Sequence, residues 1–189
     1  MLETEAVLKL RTILENWQPQ LVGTLVFVCQ GPQVLLIHKK TGHGSGLING
    51  PGGKLHSGES PIACARRELN EELGVGVRHL RQAATLRFVE LAGDQWLGHA
   101  FVGTGLIGTP RETREARPLW LPQDALPYDR MWADDRHWLP RALSGEALEA
   151  DFLFRDSVLL AADVRRVSGS GTSRSLSAGP AAAAQSAAS

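Results

Sequence analysis

The sequence is poor in cysteine: Cys29 and Cys64 are its two thiols among 189 residues. Both lie in apolar or helical patterns and lack metal-ligand spacing, so they are expected buried and reduced, in a cytoplasmic protein. An excess of charge of one sign is also missing, with 20 Lys plus Arg against 20 Asp plus Glu. That argues against a nucleic-acid polymer as partner, because such binders present a basic face. A small anionic substrate is not excluded, since one local cluster of positive groups or metal ions would hold it. Long hydrophobic runs are absent too, and Glu3 and Glu5 stand where a secretory leader would be basic. No membrane partner is expected. The apolar content of 43% suits one good core, and the length is short for two domains.

What the chain does have is glycine, and its placement is uneven. Glycines 42, 44, 46, 50, 52 and 53 crowd one segment, where the backbone must turn sharply or approach something closely. Before it, Ala6, Leu10, Ile13 and Leu14 recur at helical spacing up to Pro19, giving an amphipathic N-terminal helix over 2–16. Leu21–Cys29 and Gln33–Lys39 read as strands around the turn Gln30-Gly31-Pro32. Ser60 and Pro61 then open a helix as N-cap and first helical residue, Ile62, Ala65, Leu69 and Leu73 form its apolar stripe, and Gly74 ends it. Strands are expected at 80–91, 95–107, 118–121, 149–154 and 157–164, with a short helix over 134–143 that contains Pro140. From Ser168 the chain is mostly Ser, Gly and Ala, and a disordered tail is expected. The resulting plan is an extension (1–20), one α/β domain (21–167) and a tail (168–189).

The chemistry is concentrated between Gly52 and Val75. On the helix, Glu68, Glu71 and Glu72 stand at i, i+3 and i+4, so three carboxylates share one face. Like charges so placed repel, and hard oxygen donors of this kind select Mg²⁺, with Mn²⁺ as an alternative. An acidic surface stripe would explain three glutamates alone. It does not explain Gly53, five residues, Glu59, seven residues, then Arg67-Glu68-Leu69-Asn70-Glu71-Glu72-Leu73-Gly74-Val75. Arg67 can reach Glu71 one turn on, but it has a stronger use in pairing with Glu59 across the loop.

This long pattern resembles the signature box of the Nudix hydrolases. The resemblance implies an α/β/α sandwich with a mixed sheet, in which the box forms a loop, helix and loop, and hydrolysis of a phosphoanhydride bond in a nucleoside diphosphate derivative. It implies that Glu68, Glu71 and Glu72 bind metal, that the Gly52 carbonyl assists, and that Glu59 and Arg67 are structural. A further glutamate commonly completes such sites; Glu115 is the candidate, with Glu112 and Glu90 as alternatives. Glu71, Glu72 and Glu115 are all eligible to take the proton of the attacking water.

Three other segments bear on the substrate: Lys39–Gly42, Gly46–Lys54 and Met131–Trp138. In the last, Trp132 and Trp138 flank the adjacent Asp134 and Asp135. An indole can stack on a purine, a carboxylate can accept from a guanine edge, and a protonated one can donate to a purine carbonyl. The competing reading is a helix start, with an aspartate as cap and the tryptophans in the core. Together the segments resemble the MutT-type hydrolases of oxidised purine nucleoside triphosphates, over about Thr24 to Val167. That resemblance implies that Asn49, Asp134 and Asp135 read the base, that Trp132 stacks on it, and that Thr24 and Lys39 line the nucleotide site. Phe88 and Trp96 are further wall candidates. His43 and Pro51 stand where bulkier aromatic residues are expected, which implies looser discrimination between 8-oxo-guanine and 2-hydroxy-adenine or unmodified purines.

Overall fold

The computed structural model describes residues 2–167, so the expected tail over 168–189 lies outside the described residues. In chain order the elements are α1 (Leu2–Leu14), β1 (Leu21–Gln30), β2 (Gln33–Lys39), β3 (Ile48–Asn49), α2 (Pro61–Leu73), β4 (Gly76–Glu90), β5 (Trp96–Ile107) and β6 (Ala116–Pro122). A single 3-10 turn (Tyr128–Arg130), α3 (Asp135–Leu143), β7 (Leu148–Arg155) and β8 (Val158–Arg166) complete them.

The strands form one mixed sheet in the order β3-β2-β1-β5-β4-β7-β8, with β6 also pairing with β2. β1 runs parallel to β5, and β4 parallel to β7, whereas β1–β2, β4–β5 and β7–β8 are antiparallel. Side chains alternate across the sheet, so each strand contributes to both layers. On one face Val26, Val28, Leu35 and Ile37 pack against Ala65, Leu69 and Leu73 of α2. On the other, Phe27, Leu36, Leu86 and Phe152 pack against Trp138, Leu139 and Ala142 of α3. Leu10 of α1 meets Val89, Leu153 and Ala161 in a third cluster. This is the α/β/α sandwich with a mixed sheet that the sequence implied.

Three details differ from expectation. β4 begins at Gly76 rather than Leu80, because pairing with β5 extends to Gly76↔Ile107 and draws the polar residues Arg78 and His79 into the ladder. Ile62 is 44% exposed. The buried stripe of α2 runs instead through Cys64, Ala65, Glu68, Leu69, Glu72 and Leu73, rotated so that two carboxylates are on the covered side. The third is β3, two residues long and without a period of its own, which pairs with β2 at Ile37↔Asn49.

Candidate active site

The box is built around two backbone devices. Ser60 caps α2, its hydroxyl accepting from the Ala63 amide at 3.3 Å, and Gly74 closes the helix in the left-handed conformation at φ 69. Residues 51–55 lie beside the first half of β1: the Val26 amide donates to the Pro51 carbonyl at 2.8 Å, Thr24 to Gly53 at 2.9 Å, and Leu55 to Val22 at 2.9 Å. At Gly52 a Cβ would overlap the Thr24 carbonyl, and at Gly53 it would overlap the Glu68 carboxylate. Glycine is what allows β1, the loop and α2 to approach this closely.

Arg67 joins the loop to the carboxylates. Its Nε and Nη2 donate to the two oxygens of Glu59, each at 2.9 Å, in a bidentate pair. Nη1 donates to Glu68 at 2.6 Å and to Glu71 at 2.9 Å, and Nη2 also reaches the Lys54 carbonyl at 3.1 Å. Held by Arg67 and by the His56 amide, the Glu59 carboxyl is drawn down to about 2. Glu72 is almost fully buried, and its two oxygens are engaged by Lys39 Nζ at 2.6 Å and by the Gly52 amide at 2.9 Å. Burial pushes its carboxyl up, and the Lys39 ammonium and the Gly52 amide oppose that shift. Glu71 points to solvent.

Among the described residues no three His, Cys, Asp or Glu side chains converge at metal-binding distance, since Arg67 and Lys39 stand against Glu68 and Glu72. The donor set nonetheless fits a hard divalent cation. It is all oxygen, two of its carboxylates are buried beside the glycine loop, and only the missing Cβ of Gly53 leaves the Glu68 head room. Of the three outlying glutamates, Glu112 is paired with Lys40 at 3.0 Å. Glu90 accepts from the Asp156 and Ser157 amides at 3.2 and 3.4 Å. Glu115 lines the same cleft as Gly52 and Lys39 and, among the described residues, has no side-chain partner.

That cleft, of about 790 Å³, joins the box to the other candidates: Thr24, Lys39, Asn49, Phe88, Trp96, Trp132, Asp134 and Asp135 all line it. Thr24 has its hydroxyl against Cys64 Sγ at 3.4 Å. Asn49 Oδ1 accepts from the Gly50 amide at 2.8 Å, which leaves its NH₂ for the cleft. The two tryptophans part company. Trp138 is fully buried, edge-on to Phe27, and donates from Nε1 to Asp134 at 3.1 Å, whereas Trp132 stands in the cleft wall. Asp134 occupies the N-cap position of α3 but makes no capping bond, so the helix-start reading does not account for its side chain. Asp135 accepts from the Trp132 amide at 3.1 Å. Burial raises both aspartates, Asp134 to about 6, and the neighbouring Asp134 charge raises Asp135 further. Burial thus favours the protonated, hydrogen-bond-donating form of both carboxyls. Pro51 is buried, and Phe154 and Ser157, which the sequence did not flag, complete the far rim. Phe154 belongs to a run of buried residues in β7 and Ser157 to the turn before β8, so nothing local marks them.

Comparison with known proteins agrees with this architecture. The NUDIX domain family matches residues 19–142. Oxidized purine nucleoside triphosphate hydrolase from Mus musculus is 37% identical over 146 residues, which is 76% of this chain and 94% of that protein. The protein of the same name from Danio rerio is 41% identical over 134 residues, 70% of this chain and 85% of that one. The crystal structure of a mutator MutT protein from Bacillus halodurans superposes with a TM-score of 0.67 at 25% identity, covering 76% of this chain and 97% of that one. The fold, the complete box between Gly53 and Val75, and these relatives lead to one conclusion: the chain belongs to the Nudix hydrolases, enzymes that cleave phosphoanhydride bonds.

Proposed function

We propose that this enzyme hydrolyses oxidised purine nucleoside triphosphates, such as 8-oxo-dGTP, to the monophosphate and pyrophosphate, as a sanitiser of the nucleotide pool. The observation that carries the reading is the convergence of Asn49, Trp132, Asp134 and Asp135 on the cleft that also holds Gly52 and Lys39. The names of the mouse and zebrafish relatives support it. Glu68, Glu71, Glu72, Glu115 and the Gly52 carbonyl would hold Mg²⁺ or Mn²⁺, which supplies neutralisation of phosphate charge and a water of lowered pKa.

The remaining work is done by the chain. Lys39 and Lys54 line the cleft and offer positive charge to the phosphates. Arg67, fixed by Glu59, holds Glu68 and Glu71 in register. Glu72 is almost fully buried, whereas Glu71 and Glu115 reach solvent, which favours one of these two as acceptor of the water's proton. Asp134 and Asp135, one protonated, present a donor and an acceptor to a purine edge carrying a carbonyl and an N–H, and Asn49 adds a further donor. Residues 21–167 form the catalytic unit in this reading, and the two free thiols suit a cytoplasmic enzyme.

The test is pyrophosphate release from 8-oxo-dGTP and from dGTP, with Mg²⁺ and with chelator. Metal-dependent release favouring the oxidised nucleotide at least tenfold is expected. Equal turnover of both nucleotides would remove the sanitising role and leave the Nudix chemistry standing.

A further inference from the structure

His43 lies between two indoles. Its ring stacks on Trp132 at a centroid distance of 5.0 Å and an interplanar angle of 20°, and on Trp96 at 5.5 Å and 16°. Trp96 begins β5 and Trp132 precedes α3, so the imidazole bridges two walls of the cleft. Lys54 Nζ stands 5.0 Å over the Trp96 ring. The face of Trp132 that His43 covers is therefore not open to a base while the imidazole is there.

Resting on the purine reading above, the geometry points to His43 as an occupant of the base slot that sets its affinity: it fills the purine's stacking position between Trp132 and Trp96, and the base binds by exchanging with it. Three observations carry this. The slot is already spaced for a flat aromatic ring, because one occupies it with both planes near parallel. The ring can leave: His43 is an exposed residue on a loop between Gly42 and Gly44, so little beyond the two stacks holds it in the slot. The ring is also uncharged near neutral pH, since burial and the charges of Lys54 and Lys39 press its pKa down, so no cation must be pulled from between the indoles. A purine offers a larger stacking surface and an edge for Asn49, Asp134 and Asp135, and so displaces the imidazole. The exchange sets a threshold common to every nucleotide: the two stacks that His43 gives up weaken each of them by the same factor, and a nucleotide that also engages Asn49, Asp134 and Asp135 has the contacts to exceed it.

The test uses the whole chain and 8-oxo-dGMP, with dGMP and AMP for comparison, and reads His43 directly. In the free protein the imidazole carbon-bound protons, assigned by their loss in His43→Ala, resonate well upfield through the ring currents of two indoles. Titration with nucleotide should move them toward their ordinary positions. In His43→Ala, the Kd for each of the three nucleotides should fall about fivefold or more, since each stack holds the ring by a factor of about 2 to 13. The ratio of the Kd values for 8-oxo-dGMP and dGMP should stay the same, because the cost of displacing the imidazole is common to both. Protons that stay upfield at saturation, or a Kd that is unchanged or higher in the variant, overturn the proposal: His43 is then a fixed wall. Failure of the purine reading shows separately, as equal turnover of 8-oxo-dGTP and dGTP by the unaltered enzyme.

Discussion

Replacing Asp134 with asparagine removes a charge from a side chain only 3% exposed, while keeping its shape and an oxygen to accept from Trp138. The buried carboxyl is raised from 3.8 to about 6, with burial as the main cause. Its ionisation is thus penalised in the folded state relative to the unfolded chain, where it ionises normally. The stability linked to the neutral form is fully present below about pH 4 and is lost as pH rises through about 6. Over that interval the folded enzyme loses on the order of 3 kcal/mol through this carboxyl, and asparagine removes both that loss and the charge that raises Asp135. The amide NH₂ adds an offset of about 1–3 kcal/mol if it lacks an acceptor, but that offset does not vary with pH. The stability of Asp134→Asn relative to the unaltered enzyme should therefore increase between pH 4 and pH 7 and level off above. Thermal unfolding across this range should show the difference in Tm growing by several degrees, at about 2–4 °C per kcal/mol for a chain of this size. Turnover of 8-oxo-dGTP should fall at least tenfold in the same variant, separating stability from activity. A Tm difference constant with pH, or shrinking as pH rises, would refute the reasoning.

Further predictions concern the box. Glu72→Gln leaves the Lys39 ammonium without its carboxylate, and pyrophosphate release should drop about 100-fold or more, with a lowered unfolding midpoint in urea. Gly52→Ala forces a Cβ into the Thr24 carbonyl, so the variant should unfold or express insoluble. Gly53→Ala meets the Glu68 carboxylate instead and should stay folded by circular dichroism while losing most activity. In Arg67→Lys a point charge replaces a fork that contacts Glu59, Glu68 and Glu71, and initial rates should fall about tenfold or more. An unaltered rate in that last variant would show that the carboxylates need no arginine to align them.

Legibility in the sequence was uneven for physical reasons. The α2 caps and the β1–β2 hairpin obey local rules that a few neighbouring residues decide, and the structure places them within a residue or two of expectation. The box was readable because its glycines and charges sit at fixed short spacing. The rotation of α2 that exposes Ile62 and buries Glu72 was not readable, because a helix's apolar count does not say which side meets the sheet. Trp132 and Trp138 are of one residue type, six positions apart. Only the packing of α3 on Phe27 separates core from cleft wall. The His43 stack depends on Trp96 and Trp132, which come from distant parts of the chain, and no local pattern announces it.

Gln95 links the N-terminal extension to the substrate cleft. It accepts from Trp17 Nε1 at 3.0 Å, its carbonyl accepts from the Gln20 amide at 2.9 Å, and its own amide donates to Gln20 Oε1 at 2.8 Å. The next residue in the chain is Trp96. Whatever pulls on the first twenty residues therefore pulls on the wall of the base slot. A fusion tag or a truncation at that end is expected to disturb Trp96, and kinetic comparisons call for preparations that share one N-terminus.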